Sequence, residues 1–564
     1  MATLNFKGKA FVQNYHLSVK YHQLIPRKDK SLTGKVSLHD NLIIHGDNLK
    51  ALKALLPTYA GKIKCIYIDP PYNTGNEKWA YNDNVNSPML QDWLGKVVDK
   101  EDLTRHDKWL CMMTPRLKLL RELLADEGLI FISINEEELP RLRLICDEIF
   151  SEGNYLTTFS IKVRHEGRIL KGDKDFHEVT EYLLLYRNPA HRTVKQIVDN
   201  TSLSEYVYTI NEVPDHAESI TIGNRNILLF NPGDFKVIKQ PLSLTNLKKI
   251  NIRGTIKEGN SSGRFYMKYL NPIAKKNAGC LAKVPDIGDD GLGFRYFLLP
   301  SGNKINGDYF QGVPTQRAET KQVPYPNFFD FVDEFNKVGY EGSIEFRYGK
   351  KPLKFIRKLL EIAGCVEQKD SIILDSFAGS GSTAHAVMAL NKEDGGNRRF
   401  ILVECEDYAD KITAERVRRV IKGIKGAKDE NLKKGLGGTF SYFELGDPIE
   451  MESILSGDNL PPYKELARYI FYTATGEEFD EKAVDEKRNF IGESREYLVY
   501  LFYKPDIDYL KATALTLDRA NALGPYKGKK RLVFAPTKYL DQDHLDQLRI
   551  DFAQLPFEIY KLVK

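Results

Sequence analysis

The chain has 564 residues, of which 42% are hydrophobic, 28% charged and 11% aromatic; at ~100–200 residues per domain this excludes a single small module, and the balance excludes an intrinsically disordered chain. Its formal net charge of +5 is small for the length and does not by itself mark a nucleic-acid binder. No apolar run approaches the ~20 residues of a membrane span, the first residues lack the apolar stretch of a secretory signal, and the six cysteines form no C-x-x-C pair, so a cytoplasmic protein with no membrane segment, disulfide framework or evident metal site is expected.

Residues 1–40 read as an N-terminal extension, and after them strand and helix alternate. A short apolar run at 41–46 is followed by helical spacing from Leu49 to Leu56 closed by Pro57, and then by a second run, 64–69. This is a β-α-β unit. A helix is expected from about Arg116 to Asp126, a strand at 128–134, a helix at 137–150, and strands near 155–163 and 181–187. From about Leu203 the alternation gives way to short aromatic strands and glycine turns, which read as an inserted domain. Regular pattern returns with a helix from Lys351-Pro352 to Ala363, a strand 371–375, a helix from Ser382 to Leu390, a strand 399–404 and a basic helix 411–425. Past a Lys/Gly-rich joint at 433–438, strands at 497–503 and 531–535 flank a helix expected at 510–523. Alternating strands and helices imply a doubly wound α/β sheet covered on both faces.

Charge is concentrated within the insert. Between Phe235 and Val284 there are eleven Lys and Arg against one acid, Glu258. A charge run is ordinarily a solvated face. Here Phe265, Tyr266 and Tyr269 are interleaved with Lys248, Lys249, Arg253, Lys257, Arg264, Lys268, Lys275 and Lys276, as a groove for phosphates and bases requires. Both readings stay open on the residues alone.

Two short motifs carry chemistry. The strand ending at Asp69 runs into Asp69-Pro70-Pro71-Tyr72, at the carboxyl end of a strand, where doubly wound sheets place ligands. The prolines serve equally well as a plain turn. Functionally, they hold an extended backbone that offers the Asp69 carboxylate and the Pro70 carbonyl as paired acceptors beside the Tyr72 ring. Two acceptors pulling on the hydrogens of a planar amino group favour a pyramidal, nucleophilic nitrogen. The second motif, Asp375 to Thr383, contains Phe377-Ala-Gly379-Ser-Gly381 after a strand and opens a helix. Glycines there let a ligand approach the backbone, and an acid at the next strand end, Glu404, is placed for ribose hydroxyls. The loop lacks a third glycine and a G-K-[ST] sequence, which leaves a nucleoside site without a pyrophosphate.

The joint occurrence of these motifs resembles the amino-group DNA methyltransferases that use S-adenosylmethionine. The catalytic half precedes the cofactor half with a basic domain between them, the permuted order of the beta class. His45-Gly-Asp47-Asn48, Asp69 to Asn76, Arg295-Tyr-Phe and Gly307 to Gly312 are similar to the modification (Mod) subunits of type III restriction systems. The resemblance implies a Rossmann-like methyltransferase sheet with the catalytic half at 41–202, a target-recognition domain at 203–340, the cofactor half at 341–432 and a small C-terminal α/β interaction domain at 439–564. It makes Asp69, Pro70, Pro71 and Tyr72 catalytic. Asp47, Asp69, Lys351, Asp375, Phe377, Gly379, Gly381, Thr383 and Glu404 become the cofactor set, although Asp47 reads equally well as a helix cap.

It further implies that strands 371–375, 399–404, 41–46 and 64–69 are the first to fourth of the familiar sheet, and that the substrate is an adenine flipped out of double-stranded DNA and methylated on N6. Cytosine N4 methylation is the nearest rival chemistry; Asp69, where cytosine enzymes tend to carry serine, favours adenine. An orphan methyltransferase, or a DNA-binding specificity subunit that mainly directs a restriction partner, would carry the same motifs. Expected partners are a second copy, joined through C-terminal aromatics, and an ATP-dependent nuclease (Res) subunit. Phenylalanine at position 72 is expected to retain most activity.

Overall fold

The computed structural model describes residues 3–73, 105–167, 176–191, 195–199, 203–253, 261–316, 318–346, 349–449, 460–526 and 528–555. Contacts divide the chain into two units, Met1–Val194 with Pro326–Lys564, and Lys195–Tyr325.

The first unit is built on a ten-stranded sheet: β1 (His22–Pro26), β2 (Leu42–His45), β3 (Ile63–Ile68), β4 (Leu124–Ile134), β5 (Tyr155–Lys162), β6 (Thr180–Arg187), β7 (Phe328–Asp330), β8 (Ile372–Asp375), β9 (Arg399–Glu404) and β10 (Ser441–Pro448). Their order across the sheet is β1-β10-β2-β9-β8-β3-β4-β6-β5-β7. The run from β10 to β4 is parallel, and β6 returns antiparallel between β4 and β5. The short apolar runs are central strands because helices cover both faces: every residue of β8 is buried, as are five of the six in β3. The implied third, second, first and fourth strands (β2, β9, β8, β3) lie side by side in that order. Leu374 of β8 is in register with Ile66 of β3, so the segments carrying Asp375 and Asp69 leave the sheet at one edge.

Several boundaries differ from expectation. Residues 1–40 are no mere extension, since β1 pairs with β10 and completes the sheet. The C-terminal region does not begin at 439, because β10 lies between β1 and β2. The insert runs from Lys195 to Tyr325 rather than 203–340: strand Gln196–Asp199 pairs with Thr320–Val323, while β7 pairs in parallel with β5 of the main sheet. The helix expected at 116–126 spans Arg105–Leu123 and passes through Pro115; there the Thr114 hydroxyl and the Arg116 guanidinium bond the carbonyls of Leu110 and Met112. Pro57 likewise lies inside the helix Asn48–Tyr59 instead of closing it.

The C-terminal sheet comprises Phe490–Glu493, Tyr497–Leu501, Lys530–Ala535 and Ile550–Gln554. The single helix expected at 510–523 is two, Ile507–Ala512 and Leu517–Ala522, the second capped by Thr516. Tyr500, Phe502, Tyr503 and Phe534 are buried. The aromatics read as an interface therefore fill cores: Tyr500 and Phe502 pack in a cluster of the C-terminal region, while Tyr503 and Phe534 pack in the core that continues through helix Tyr463–Thr475 to the main sheet.

The second unit holds an eight-stranded antiparallel sheet. Phe265 and Tyr266, read as candidate base-stacking side chains, are buried against Phe297 in its core. Alternating with charge in sequence placed them on the inner face of the segment Ser261–Leu270, whose outer face carries the cations.

Candidate active site

Strand β3 ends in a clamp. The Trp109 indole donates to the Pro71 carbonyl at 2.7 Å. Asn73 is buried with φ 57°, a left-handed conformation that asparagine tolerates better than most residues. Its side-chain amide donates to the fully buried Glu138, which His106 also contacts at 2.5 Å. With the bend fixed from behind, the Pro70 carbonyl accepts no hydrogen bond among the described residues. The continuation, Thr74 to Asn76, lies outside them.

In front of the clamp, four polar side chains converge. The Tyr72 hydroxyl lies 2.9 Å from Asp69 Oδ1 and 3.0 Å from Glu181 Oε2. Lys351 Nζ is 2.8 Å from the Tyr72 oxygen, 2.9 Å from Glu181 Oε2 and 3.2 Å from Asp69 Oδ1. An ammonium has three hydrogens, and each finds an acceptor here. Both contacts to Asp69 use Oδ1, which leaves Oδ2 with no hydrogen bond among the described residues, and Asp69 lines a cavity.

Burial raises the Asp69 carboxyl above the usual range; Glu181 adds to the rise, while Lys351 and Tyr72 oppose it. At Glu181 burial acts the same way, but Lys351 and Tyr72 outweigh it and hold that carboxyl below its ordinary value. Burial alone would lower the Lys351 ammonium, yet the two carboxylates lift it to about 12. With both acids ionised the cluster carries a net charge of −1.

The cofactor loop follows β8. Asp375 accepts from the Phe377 amide at 3.1 Å and from the Thr383 hydroxyl at 2.6 Å. Burial still pushes its carboxyl to about 7, with Asp69 and Glu404 adding to the rise. Gly379 (φ 51°) and Gly381 (φ 76°) take the left-handed turn that starts helix Ser382–Asp394; a Cβ on Gly381 would approach the Thr413 carbonyl to 3.2 Å. Glu404 is fully buried behind the loop, accepting from the Gly379 amide at 2.6 Å and the Glu406 amide at 3.1 Å.

One cavity of about 520 Å³ joins the two motifs, lined by Asp69, Pro70, Pro71, Tyr72, Lys351, Asp375, Phe377, Gly379 and Thr383. That volume is ordinary for a cofactor site. Asp47, Gly381 and Glu404 are not among its lining residues. Asp47 caps helix Asn48–Tyr59, accepting from the Lys50 amide at 3.1 Å, and faces Arg116 at 3.4 Å. Lys351, expected beside the cofactor, lines the cavity and gives its hydrogens to Tyr72, Asp69 and Glu181. The sequence reading missed Glu181, whose only signal is an acid opening the apolar strand β6, and the aromatic wall of Phe346 and Tyr408, packed edge to face at 5.5 Å. Aromatic walls, a loop with glycine at 379 and 381 and the buried acid Asp375 together fit a nucleoside cofactor.

Within the second unit, Arg253, Arg264, Lys268, Lys275 and Lys276 are exposed. Lys248 and Lys249 are paired with Glu205 and Asp308, the latter at 2.9 Å. Lys257 lies outside the described residues.

Residues 63–415 match the family profile described as DNA methylase (N6_N4_Mtase). The chain is 29% identical over 481 residues to the type III restriction-modification enzyme StyLTI Mod subunit of Salmonella typhimurium, covering 79% of this chain and 66% of that one. It is 28% identical over 457 residues to the EcoPI Mod subunit of Escherichia phage P1, covering 74% and 67%. With the type II methyltransferase M.KpnI of Klebsiella pneumoniae it shares 28% over 390 residues, 64% of this chain and 79% of that one. The chain thus spans about two thirds of the length of the two Mod subunits.

Proposed function

This chain belongs to the DNA methylase family whose profile matches residues 63–415, and from that premise we propose that it methylates N6 of an adenine flipped out of double-stranded DNA, using S-adenosylmethionine. The observation that carries the reading is that Asp69 and Pro70, whose Oδ2 and carbonyl accept no hydrogen bond among the described residues, line the same cavity as Phe377 and Gly379 of the loop. The bound cofactor supplies an activated methyl group. Asp375, Thr383, Phe377 and Gly379 hold its nucleoside end, with Glu404 fixing the loop from behind. Asp69 and Pro70 accept the two amino hydrogens of the target base and orient its lone pair. The Tyr72 ring provides a stacking face worth ~1–3 kcal/mol, which offsets part of the few kcal/mol of unstacking. Positioning and fixed dipoles in a water-poor site supply most of the acceleration.

The similarity to type III Mod subunits supports a chain that reads and modifies a site, pairs with a second copy and serves an ATP-driven nuclease subunit. The exposed cations of the second unit suit phosphate contacts. Expression in a methylation-free host, followed by sequencing that detects modified bases, tests the reading. N6-methyladenine at one recurring site is expected; N4-methylcytosine, or no modification, overturns it.

A further inference from the structure

Glu181 stands in the cavity beside the catalytic motif, on a strand that carries neither the catalytic nor the cofactor loop. It takes a hydrogen bond from Lys351 at 2.9 Å and lies 3.0 Å from the Tyr72 hydroxyl. Remove it, and among the described residues the Lys351 ammonium keeps Asp69 and the Tyr72 oxygen as hydrogen-bond partners; Asp69 is then the one carboxylate bonded to that charge. With Glu181 present, one cation is shared between two carboxylates, and Asp69 retains an oxygen with no hydrogen bond among the described residues.

We propose that Glu181 is a positioning residue for methyl transfer: it holds the Lys351 ammonium and the Tyr72 hydroxyl so that Asp69 keeps one oxygen, and the cluster one net negative charge, for the incoming amino group. This rests on the methyltransferase reading above. In that reaction the N6–C bond forms as the S–C bond breaks, so the positive charge moves from sulfur to N6. The proton on N6 is then lost to water. Charge therefore moves toward the Asp69–Lys351–Glu181 cluster. A cluster with net charge −1 stabilises that movement, whereas a neutral Asp69–Lys351 pair does not.

The groups that face Glu181 are Asp69, Tyr72 and Tyr67 from β3 and its continuation, Lys351 ahead of helix Leu353–Ile362, and Arg164 beyond β5. Glu181 is among the groups that raise the Asp69 carboxyl. Loss of its charge should thus let Asp69 ionise at lower pH.

The test is steady-state methylation of cognate duplex by the full-length wild type, Glu181→Gln and Glu181→Asp, each across pH 5–9, with S-adenosylmethionine affinity read by calorimetry. Glutamine keeps the volume and an acceptor for Lys351. It should lower kcat roughly ten- to a hundredfold, leave KM for DNA and cofactor affinity within about twofold of wild type, and move the acid limb of the kcat profile to lower pH. Aspartate keeps the charge and should recover most of kcat. Wild-type kcat in Glu181→Gln overturns the proposal, as does a loss confined to affinity or thermal stability with the acid limb unmoved. Glu181→Ala serves the same comparison if the glutamine variant does not fold. Absence of methyl transfer by the wild type on any DNA refutes the parent reading instead, independently of Glu181.

Discussion

Replacing Lys351 by methionine leaves Asp69 and Glu181, which both bond the same ammonium, without their cation. The size of the effect follows from two directions. The ammonium's rise from 10.5 to about 12 is a net preference of the site for the charged form of ~2 kcal/mol, at 1.36 kcal/mol per unit. Stripping one partner from a buried ion pair costs ~3–5 kcal/mol. A loss of ~2–5 kcal/mol at pH 8 is therefore expected. In the wild type the folded value lies above the unfolded one, so the Lys351 contribution is complete below pH 10.5 and is lost only as pH climbs through about 12. It is constant between pH 5 and 8.

In the variant the unpaired carboxyls are themselves raised by burial. Their penalty is small where they can hold a proton and grows as pH rises. The deficit against wild type should thus be smaller at pH 5 than at pH 8. Urea denaturation of both proteins at the two pH values, followed by tryptophan fluorescence, measures it. Equal deficits at both pH values, or a deficit below ~0.5 kcal/mol at pH 8, would refute the reasoning.

Asp69→Ala should abolish methyl transfer and leave calorimetric binding of S-adenosylmethionine near wild type; turnover close to wild type would remove Asp69 from the mechanism. Contrary to the expectation from sequence that phenylalanine retains most activity, Tyr72→Phe should lose activity because Lys351 loses an acceptor and Asp69 a hydroxyl donor, and Tyr72→Ala should lose ~1–3 kcal/mol more as the stacking face goes; wild-type rates in the phenylalanine variant would make the hydroxyl a bystander. Gly379→Val and Gly381→Val force side chains into φ of 51° and 76°, a strain of ~1–2 kcal/mol each, and should weaken cofactor binding; unchanged affinity in both would reduce the loop to a strand-to-helix turn. Changing Lys275 and Lys276 to alanine should reduce the salt slope of DNA binding by ~1.8. The same change at Lys248 and Lys249, already paired with acids, should reduce it less; equal effects would mean those pairs open on DNA.

The central sheet was legible because β3, β8 and β9 are short apolar runs stopped by Asp69, Asp375 and Glu404, and burial on both faces demands such runs. The two loops were legible because proline and glycine have backbone restrictions that show in any context. Phe265 and Tyr266 misled, since alternation with lysine looks alike whether the aromatic side faces DNA or a core. Lys351 and Glu181 were illegible as partners: they are 170 positions apart, and only the sheet brings them together. The strand β10 escaped for the same reason, its place beside β2 being set by tertiary pairing rather than by any local pattern.

The adjacency of β3 and β8 has a consequence for the nascent protein. Roughly 300 residues separate these neighbours, and at ~5–20 residues per second a ribosome needs about 15–60 s to make them. Throughout that interval the catalytic strand has emerged with one backbone edge unpaired and its cofactor-side neighbour not yet translated. The second unit, whose strands pair among themselves, is complete before then and can fold first. Synthesis thus yields a finished second unit while the sheet of the first is still incomplete, and a chaperone that shields open strand edges should be needed most in the window between residues 68 and 372.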